Sequence, residues 1–228
     1  MTNLKNQTQA QVEKTRSVKP EFMKAIDDVI ADARKFEQGG NAIAVGEEVP
    51  DFTLPNAKGE GVLLSQLLGS GPVIITFYRG SWCPYCNLQL RAMQSRLDEI
   101  HALGAELVAI SPEIPDESLT KTEIDGMSFP VLSDQDAKVA EKFGVAWEVP
   151  DVILEHMRKD RNLDLADINN GNGSTLPIPA TFIIDRDGVV QWRFVEVDYR
   201  VRAEPDDIIE VLSRLDLKEA NLLLDILS

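Results

Sequence analysis

The sequence predicts an α/β fold in which a mixed β-sheet carries helices on both faces. Two observations support this prediction. Residues 73–78 (V-I-I-T-F-Y) and 106–110 (E-L-V-A-I) are buried-strand patterns separated by a helical stretch, and that order is typical of a parallel crossover. Residues 180–184 and 189–197 are two further strand patterns joined by a tight turn, which is typical of an antiparallel hairpin.

The N-terminal elements come first. Residues 1–18 are polar, and we expect them to be frayed. Residues 20–36 have apolar side chains at helical spacing, and Gly39-Gly40 ends this stretch. We therefore predict that residues 1–44 are an extension with one amphipathic helix, and that the main domain spans residues 45–216.

The main domain begins with a hairpin over residues 52–64. The strand at 73–78, a helix from Pro84 to about residue 103 and the strand at 106–110 follow. Next we predict a helix at 116–124, a strand at 129–132 and a helix at 137–143. Residues 146–176 break this rhythm and form an insertion. The hairpin, a helix at 204–215 and a helical tail at 217–228 complete the chain. This order is the thioredoxin-like pattern.

Charge excludes several classes of partner. The chain of 228 residues has 23 basic and 38 acidic residues, and its net charge is −15. Such a surface repels nucleic acid and anionic lipid. No segment reaches the ~18 apolar residues of a membrane helix, and residues 1–20 lack an apolar signal region. We expect a cytoplasmic protein, and in that compartment a cysteine pair is more often catalytic, redox-sensing or metal-binding than structural.

The two cysteines of the chain form one motif, Cys83-Pro84-Tyr85-Cys86. They lie where a predicted strand ends and a helix begins. A helix N-terminus stabilises a thiolate, and cysteines in such motifs have pKa values of roughly 3.5–7.5. The spacing also permits a disulfide. We predict a redox-active dithiol, with Arg79 as a candidate stabiliser of the thiolate and with Trp82 and Tyr85 as candidate walls of the substrate pocket.

Two other interpretations of the pair remain open. The thiols could be inert core residues, since free cysteine is often buried. They could also be half of a zinc site, but there is no second C-x-x-C, and His101 and His156 are distant in sequence. We expect neither a metal nor a cofactor.

Three further residues are candidates. Pro179 precedes the strand at 180–184, and in thioredoxin-like folds a proline at this point is typically cis and packs against the dithiol. We predict a cis Pro179; the alternative is that Pro177 and Pro179 only stiffen the loop. Glu113, after the strand at 106–110, is a candidate proton shuttle. Arg202 belongs to a segment, residues 198–205, that could line the active site, form a dimer face or only lead into the last helix.

Residues 46–215 resemble the peroxiredoxin-like branch of the alkyl hydroperoxide reductase/thiol-specific antioxidant (AhpC/TSA) family. The matching pieces are G-E-E-V-P-D-F-T-L-P at 46–55, F-Y-R-G-S-W-C-P-Y-C at 77–86, F-P-V-L-S-D at 129–134 and A-T-F-I-I-D-R-D-G at 180–188. Aligned on F-Y, the peroxidatic cysteine position of the family is Cys86. The family's Thr, Pro and catalytic Arg positions hold Cys83, Arg79 and Pro179.

The resemblance implies an antioxidant enzyme that reduces peroxides through a Cys83/Cys86 dithiol–disulfide cycle. In that mechanism Cys86 attacks the peroxide, Cys83 resolves the sulfenic acid, and thioredoxin, glutaredoxin or a glutathione-type thiol restores the pair. The replaced positions favour an alternative, a protein disulfide oxidoreductase in which Cys83 attacks first. A redox-inactive binding module is a third possibility. A homodimer is also expected from the family.

Overall fold

The computed structural model describes residues 3–114, 127–169, 171 and 173–227. Its elements, in chain order, are α1 (Leu4–Val18), α2 (Pro20–Lys35), β1 (Thr53–Pro55), β2 (Gly61–Leu63), α3 (Leu64–Leu68), β3 (Val73–Phe77), α4 (Pro84–Gln94), α5 (Leu97–Ala102), β4 (Glu106–Ser111), β5 (Val131–Ser133), a 3-10 turn (Gln135–Ala137), α6 (Lys138–Lys142), β6 (Ala146–Glu148), α7 (Asp151–Arg161), α8 (Leu165–Asn169), β7 (Thr175–Pro177), β8 (Ala180–Ile184), β9 (Val190–Val195) and α9 (Pro205–Leu227).

The central sheet has five strands in the order β5-β4-β3-β8-β9. Strand β4 is parallel to both β3 and β5, whereas β8 is antiparallel to β3 and to β9. The mixed sheet is therefore confirmed, with its crossover and its hairpin. Strand β3 lies at the centre, so the residues that follow it emerge in the middle of the sheet edge.

Alternation along β3 places apolar side chains on both faces of the sheet. Val73, Ile75 and Phe77 belong to one core cluster, which includes Phe143 and Phe182. Ile74 and Tyr78 belong to a second cluster, which α4, α5 and α9 cover with Leu90, Ile100 and Ile208. Helices on both faces are thus confirmed.

The N-terminal extension contains two helices, and the expectation that residues 1–18 are frayed is wrong. Helix α1 begins at the N-cap Asn3, whose side chain accepts a hydrogen bond from the Asn6 amide at 3.0 Å. The backbone amides of Leu4 and Lys5 donate to the Glu204 carboxylate at 3.2 and 2.6 Å. This helix is stabilised by a residue about 200 positions away, which explains why its local pattern did not predict it.

The insertion at 146–176 begins and ends on a small antiparallel pair, β6 and β7. Helix α7 of the insertion packs against α2 of the extension. Their contact is a third apolar cluster, which includes Ile26, Ile30, Ile153, Met157 and Leu176. The insertion and the extension therefore form one layer beside the sheet.

The remaining elements differ from the prediction in detail. The last helix and the tail are one continuous helix, α9, because no helix-breaking residue separates them. The helix predicted at 116–124 lies outside the described residues. Among the helices of the described part of the chain, none is long and apolar enough to cross a membrane.

Candidate active site

A tight loop connects the end of β3 to the start of α4. Gly80 in this loop has a φ of +141°, and a Cβ there would lie 2.3 Å from Nε1 of Trp82. Only glycine allows the Trp82 ring to fold back at this point. Cys83 is the N-cap of α4, and Pro84 occupies the first turn of the helix. The amides of Cys86 and Asn87 both donate to the Cys83 carbonyl, at 3.0 and 3.1 Å.

Glu113 holds this loop in place. One carboxylate oxygen accepts the backbone amide of Ser81 at 2.6 Å, and the other accepts the Ser81 hydroxyl at 2.7 Å. The Ser81 carbonyl in turn accepts a hydrogen bond from the Asn87 side chain at 2.7 Å. The structure therefore places Glu113 on the loop backbone, and its contacts suit a positioning residue better than the proton shuttle that the sequence suggested.

Both thiols are buried, with 1% of Cys83 and 0% of Cys86 exposed. Burial disfavours a thiolate at Cys83, but it is outweighed by the hydrogen bond that Cys86 donates and by the charges of Arg79 and Arg202. Together these effects lower the pKa of Cys83 to about 5. Burial, and the hydrogen bond and negative charge of Cys83, raise the pKa of Cys86 well above its ordinary value. These shifts favour a thiolate at Cys83 and a protonated thiol at Cys86.

Two buried arginines flank the pair. The Arg79 guanidinium lies 4.1 Å from the ring centroid of Tyr199 and 5.0 Å from that of Trp82. Arg202 donates from Nη2 to Sγ of Cys86 at 3.2 Å. Neither arginine forms an ion pair with a described carboxylate, and Nε of both has no hydrogen-bond partner among the described residues. A Cys83 thiolate therefore offsets only part of the positive charge of the two arginines.

A cavity of about 200 Å³ opens onto Cys83. Trp82 and Tyr85 line it, as the sequence suggested, and Tyr85 packs edge-on against Tyr199 with ring centroids 5.6 Å apart. Cys83 is among the lining residues and Cys86 is not. The other lining residues are Gln11, Thr15, Lys19, Phe22, Met23, Ile26, Arg79, Pro84, Ile153, His156, Met157, Arg161 and Tyr199.

Pro179 differs from the prediction. The structure has no cis peptide bond among the described residues, so the cis conformation is wrong. The chain here passes directly from β7 into β8. The Ile178 amide donates to Val145 at 2.7 Å, and the Pro179 carbonyl accepts from Glu196 at 3.4 Å, so hydrogen bonds hold the backbone on both sides of the trans bond. Pro179 lies with Arg79 and Tyr199 around a small apolar void.

Several residues that line the cavity were not predicted from the sequence. Phe22, Met157 and Tyr199 come from the extension, the insertion and the segment after β9, which are far apart in the sequence. The signal for Arg202 was its position in the 198–205 segment, which does enter the site. No local pattern marks the extension and insertion as walls of the dithiol site, because their shared apolar cluster is a tertiary contact.

Comparison with known proteins agrees with this architecture. The model of the AhpC/TSA family matches residues 45–193. The putative peroxiredoxin Rv2521 of Mycobacterium tuberculosis is 30% identical over 160 residues, which cover 69% of this chain and 86% of that protein. The thiol-disulfide oxidoreductase ResA of Geobacillus kaustophilus is 28% identical over 151 residues, covering 66% and 68%.

A solved structure is similar as well. The crystal structure of peroxidoxin BcpB from Mycobacterium tuberculosis superposes with a TM-score of 0.58 at 25% identity, covering 75% of this chain and 97% of that one. Residues 45–193, which the family model matches, contain β3, the dithiol loop and α4. The thioredoxin-like fold, the family model and these relatives lead to one conclusion, that the chain belongs to the AhpC/TSA family.

Proposed function

We propose that the protein is a thiol peroxidase in which Cys83 attacks the peroxide and Cys86 resolves the product. The observation that carries the assignment is that Cys83 lines the cavity, whereas Cys86 lies behind it with no exposed surface. The lowered pKa of Cys83 adds to this, since the thiolate is the nucleophile. Similarity to proteins named peroxiredoxins supports peroxide as the oxidant.

The chemistry uses groups already in place. The Cys83 thiolate attacks the terminal oxygen of a hydroperoxide, the O–O bond breaks, and the alkoxide leaves and takes up a proton to become an alcohol. Arg79, beside the cavity, stabilises the negative charge that develops on the peroxide oxygens. Cys83 becomes a sulfenic acid. Cys86 then loses its proton and attacks the Cys83 sulfur, so that water leaves and a disulfide forms.

This assignment reverses the roles that the family alignment implies. In the alignment Cys86 holds the peroxidatic position, and Cys83 replaces the family's Thr. Here Cys86 is a protonated thiol that donates to Cys83, and Arg202 rather than an arginine at position 179 contacts its sulfur. Arg202 is therefore proposed to stabilise the Cys86 thiolate while it resolves the sulfenic acid.

Steady-state peroxide consumption tests the proposal. With a thioredoxin system as reductant, Cys83→Ser is expected to lose peroxide consumption. Cys86→Ser should retain the first oxidation step and consume about one peroxide per chain without a dithiol cycle. The proposal is rejected if Cys83→Ser consumes peroxide at the rate of the unmodified protein, or if the unmodified protein is no faster than a free thiol.

Disulfide exchange is the second candidate. A thiolate at the N-cap with a buried partner three residues later suits attack on a disulfide, and the similarity to ResA favours it. Assaying a model disulfide beside hydrogen peroxide ranks the two activities. A cytoplasmic location and a homodimer stay predictions, and sedimentation of the full chain tests the latter.

A further inference from the structure

The cavity at Cys83 has a charge opposite to that of the molecule. The chain carries 38 acidic and 23 basic residues, yet no Asp or Glu is among the described residues that line the cavity. Three cations do line it: Lys19, Arg79 and Arg161. Two carboxylates of the neighbouring segments are paired with another cation, since Arg200 donates to Asp27 and Asp198. The cavity is therefore a local positive site on an acidic protein.

Neither of the two cations nearest solvent, Lys19 and Arg161, forms an ion pair with a carboxylate of the described residues. Lys19 lies at the junction of α1 and α2, is exposed and forms no ion pair within the described part of the chain. Arg161 ends α7, and its Nη2 donates only to the Trp82 carbonyl, at 3.1 Å. Deeper inside, the Cys83 thiolate offsets part of the charge of Arg79 and Arg202. A ligand that enters past Lys19 and Arg161 must supply its own negative charge if these cations are to be neutralised.

The cavity also restricts the size of what can reach Cys83. Helices α1, α2 and α7 cover the cavity, and only 1% of the surface of Cys83 is exposed. A surface groove that shares Lys19, Phe22 and His156 with the cavity continues it to the outside. Glu21 also lines this groove, so the positive charge is concentrated in the cavity itself. A small organic molecule can pass through such a passage directly, whereas a folded dithiol protein reaches Cys83 only if the covering helices move aside, so its reaction should be slower.

We propose that the cavity is a binding site for a low-molecular-weight thiol that carries a carboxylate, and that this thiol is the reductant. The inference rests on the proposed cycle, because that cycle leaves a Cys83–Cys86 disulfide. One thiolate attacks Cys83, forms a mixed disulfide and releases the Cys86 thiolate. A second thiolate attacks the sulfur of the bound thiol, so a small-molecule disulfide leaves and Cys83 is again a thiolate. Overall, two small thiols give up two electrons and two protons, and the protein disulfide takes them up to become the dithiol.

The experiment starts from protein oxidised with diamide, with the disulfide verified by a loss of two mass units. The rate of reduction is measured with 3-mercaptopropionate, 2-mercaptoethanol and thioredoxin, with rates for the small thiols corrected for their thiolate fractions. We expect the carboxylate thiol to react about 10-fold faster than the neutral one, within the range that electrostatic focusing provides. Lys19→Gln should reduce this preference, and Lys19→Gln with Arg161→Gln should remove most of it.

Lys24→Gln is the matched control. Lys24 is an exposed lysine on α2, five residues after Lys19, and it does not line the cavity. It should leave the preference unchanged. Equal rates for the two small thiols, or faster reduction by thioredoxin at equal concentration, overturn the inference while the peroxidase cycle stands. Failure of the two cysteines to form a disulfide at all rejects the cycle itself.

A final arm separates reductant from oxidant. Reduced protein is oxidised in a single turnover with a carboxylate-bearing hydroperoxide and with its methyl ester. We expect the rate of disulfide reduction by the carboxylate thiol to depend on Lys19. A charge preference confined to oxidation would instead assign the cavity to an anionic hydroperoxide and overturn the assignment to the reductant.

Discussion

At the scale of single residues, the two thiols of one motif have opposite pKa shifts. Both are buried, and burial alone would raise the pKa of each. The difference arises because Cys83 receives the hydrogen bond and Cys86 donates it, and because Arg79 and Arg202 bear on the Cys83 thiolate. From the motif we predicted a lowered cysteine pKa, because a helix N-terminus stabilises a thiolate. Which of the two cysteines benefits depends on contacts that the motif does not contain.

The pH dependence of Cys83 alkylation follows from this arrangement. Since the pKa of Cys83 is lowered to about 5, its reaction with iodoacetamide should reach half its maximum near pH 5 and be flat between pH 6.5 and 8. Cys86→Ala removes the donated hydrogen bond, so the midpoint should move upward. The measurement is the second-order rate at each pH, with the modified residue identified by mass spectrometry. A midpoint near the ordinary thiol value of about 8.5 would refute the thiolate assignment.

Arg202 is predicted to act on the resolving step. Hydrogen bonds to charged groups contribute about 1.5–3 kcal/mol, so Arg202→Met should slow disulfide formation by at least about 10-fold. The Cys83 sulfenic acid then persists and is oxidised further to sulfinic acid by excess peroxide. Intact mass after a peroxide series measures the sulfinic fraction. Arg202→Lys, which keeps the charge, should show a smaller increase, and an Arg202→Met variant with an unchanged sulfinic fraction would remove Arg202 from this step.

At the scale of elements, local patterns predicted the parts of the site that are continuous in sequence. Strand β3, the loop and α4 follow from an apolar run, a glycine and a proline. Helix α1 was missed because its first amides donate to Glu204, and the cavity was missed because α1, α2 and α7 meet only in the folded chain. The trans bond at Pro179 likewise depends on the strands around it, whereas the cis prediction came from other thioredoxin-like proteins.

The attachment of α2 can be tested through Arg200. Its guanidinium donates to Asp27 on α2 at 2.7 Å and to Asp198 at 2.7 Å, and the Arg200 side chain is 11% exposed. Arg200→Met should lower the free energy of unfolding by about 1–3 kcal/mol, because Asp27 and Asp198 lose their best-buried cation and keep only the exposed Arg16 and the more distant Arg34. It should also loosen the cavity wall, so that Cys83 reacts faster with a bulky maleimide.

The control for this prediction is Arg214→Met. Arg214 is exposed on α9 and lies 3.9 Å from Glu210, so its loss should change the free energy of unfolding by less than about 0.5 kcal/mol. Urea unfolding of both variants gives the comparison. Equal stability of the two variants would contradict the role given to Arg200.

At the scale of the whole molecule, the sequence predicted the mixed sheet, the helices on both of its faces and the family. These features depend on periodicity and on motifs along the chain. The net charge of −15 correctly describes the average surface, but it conceals the cations around the cavity. Composition cannot reveal where charges gather, since Lys19, Arg79 and Arg161 are separated by tens of residues. The fold was therefore easier to predict than the order of events at the dithiol.

The central claim is that Cys83 reacts with peroxide first. Its most direct test treats reduced Cys86→Ser and reduced Cys83→Ser with one equivalent of hydrogen peroxide in the presence of dimedone, which traps sulfenic acids. Both positions lie in one tryptic peptide, residues 80–91, so fragmentation of that peptide locates the adduct. We expect close to one adduct per chain on Cys83 in the Cys86→Ser variant and little adduct in Cys83→Ser. Rapid and complete trapping on Cys86 in Cys83→Ser, with none on Cys83 in Cys86→Ser, would contradict it.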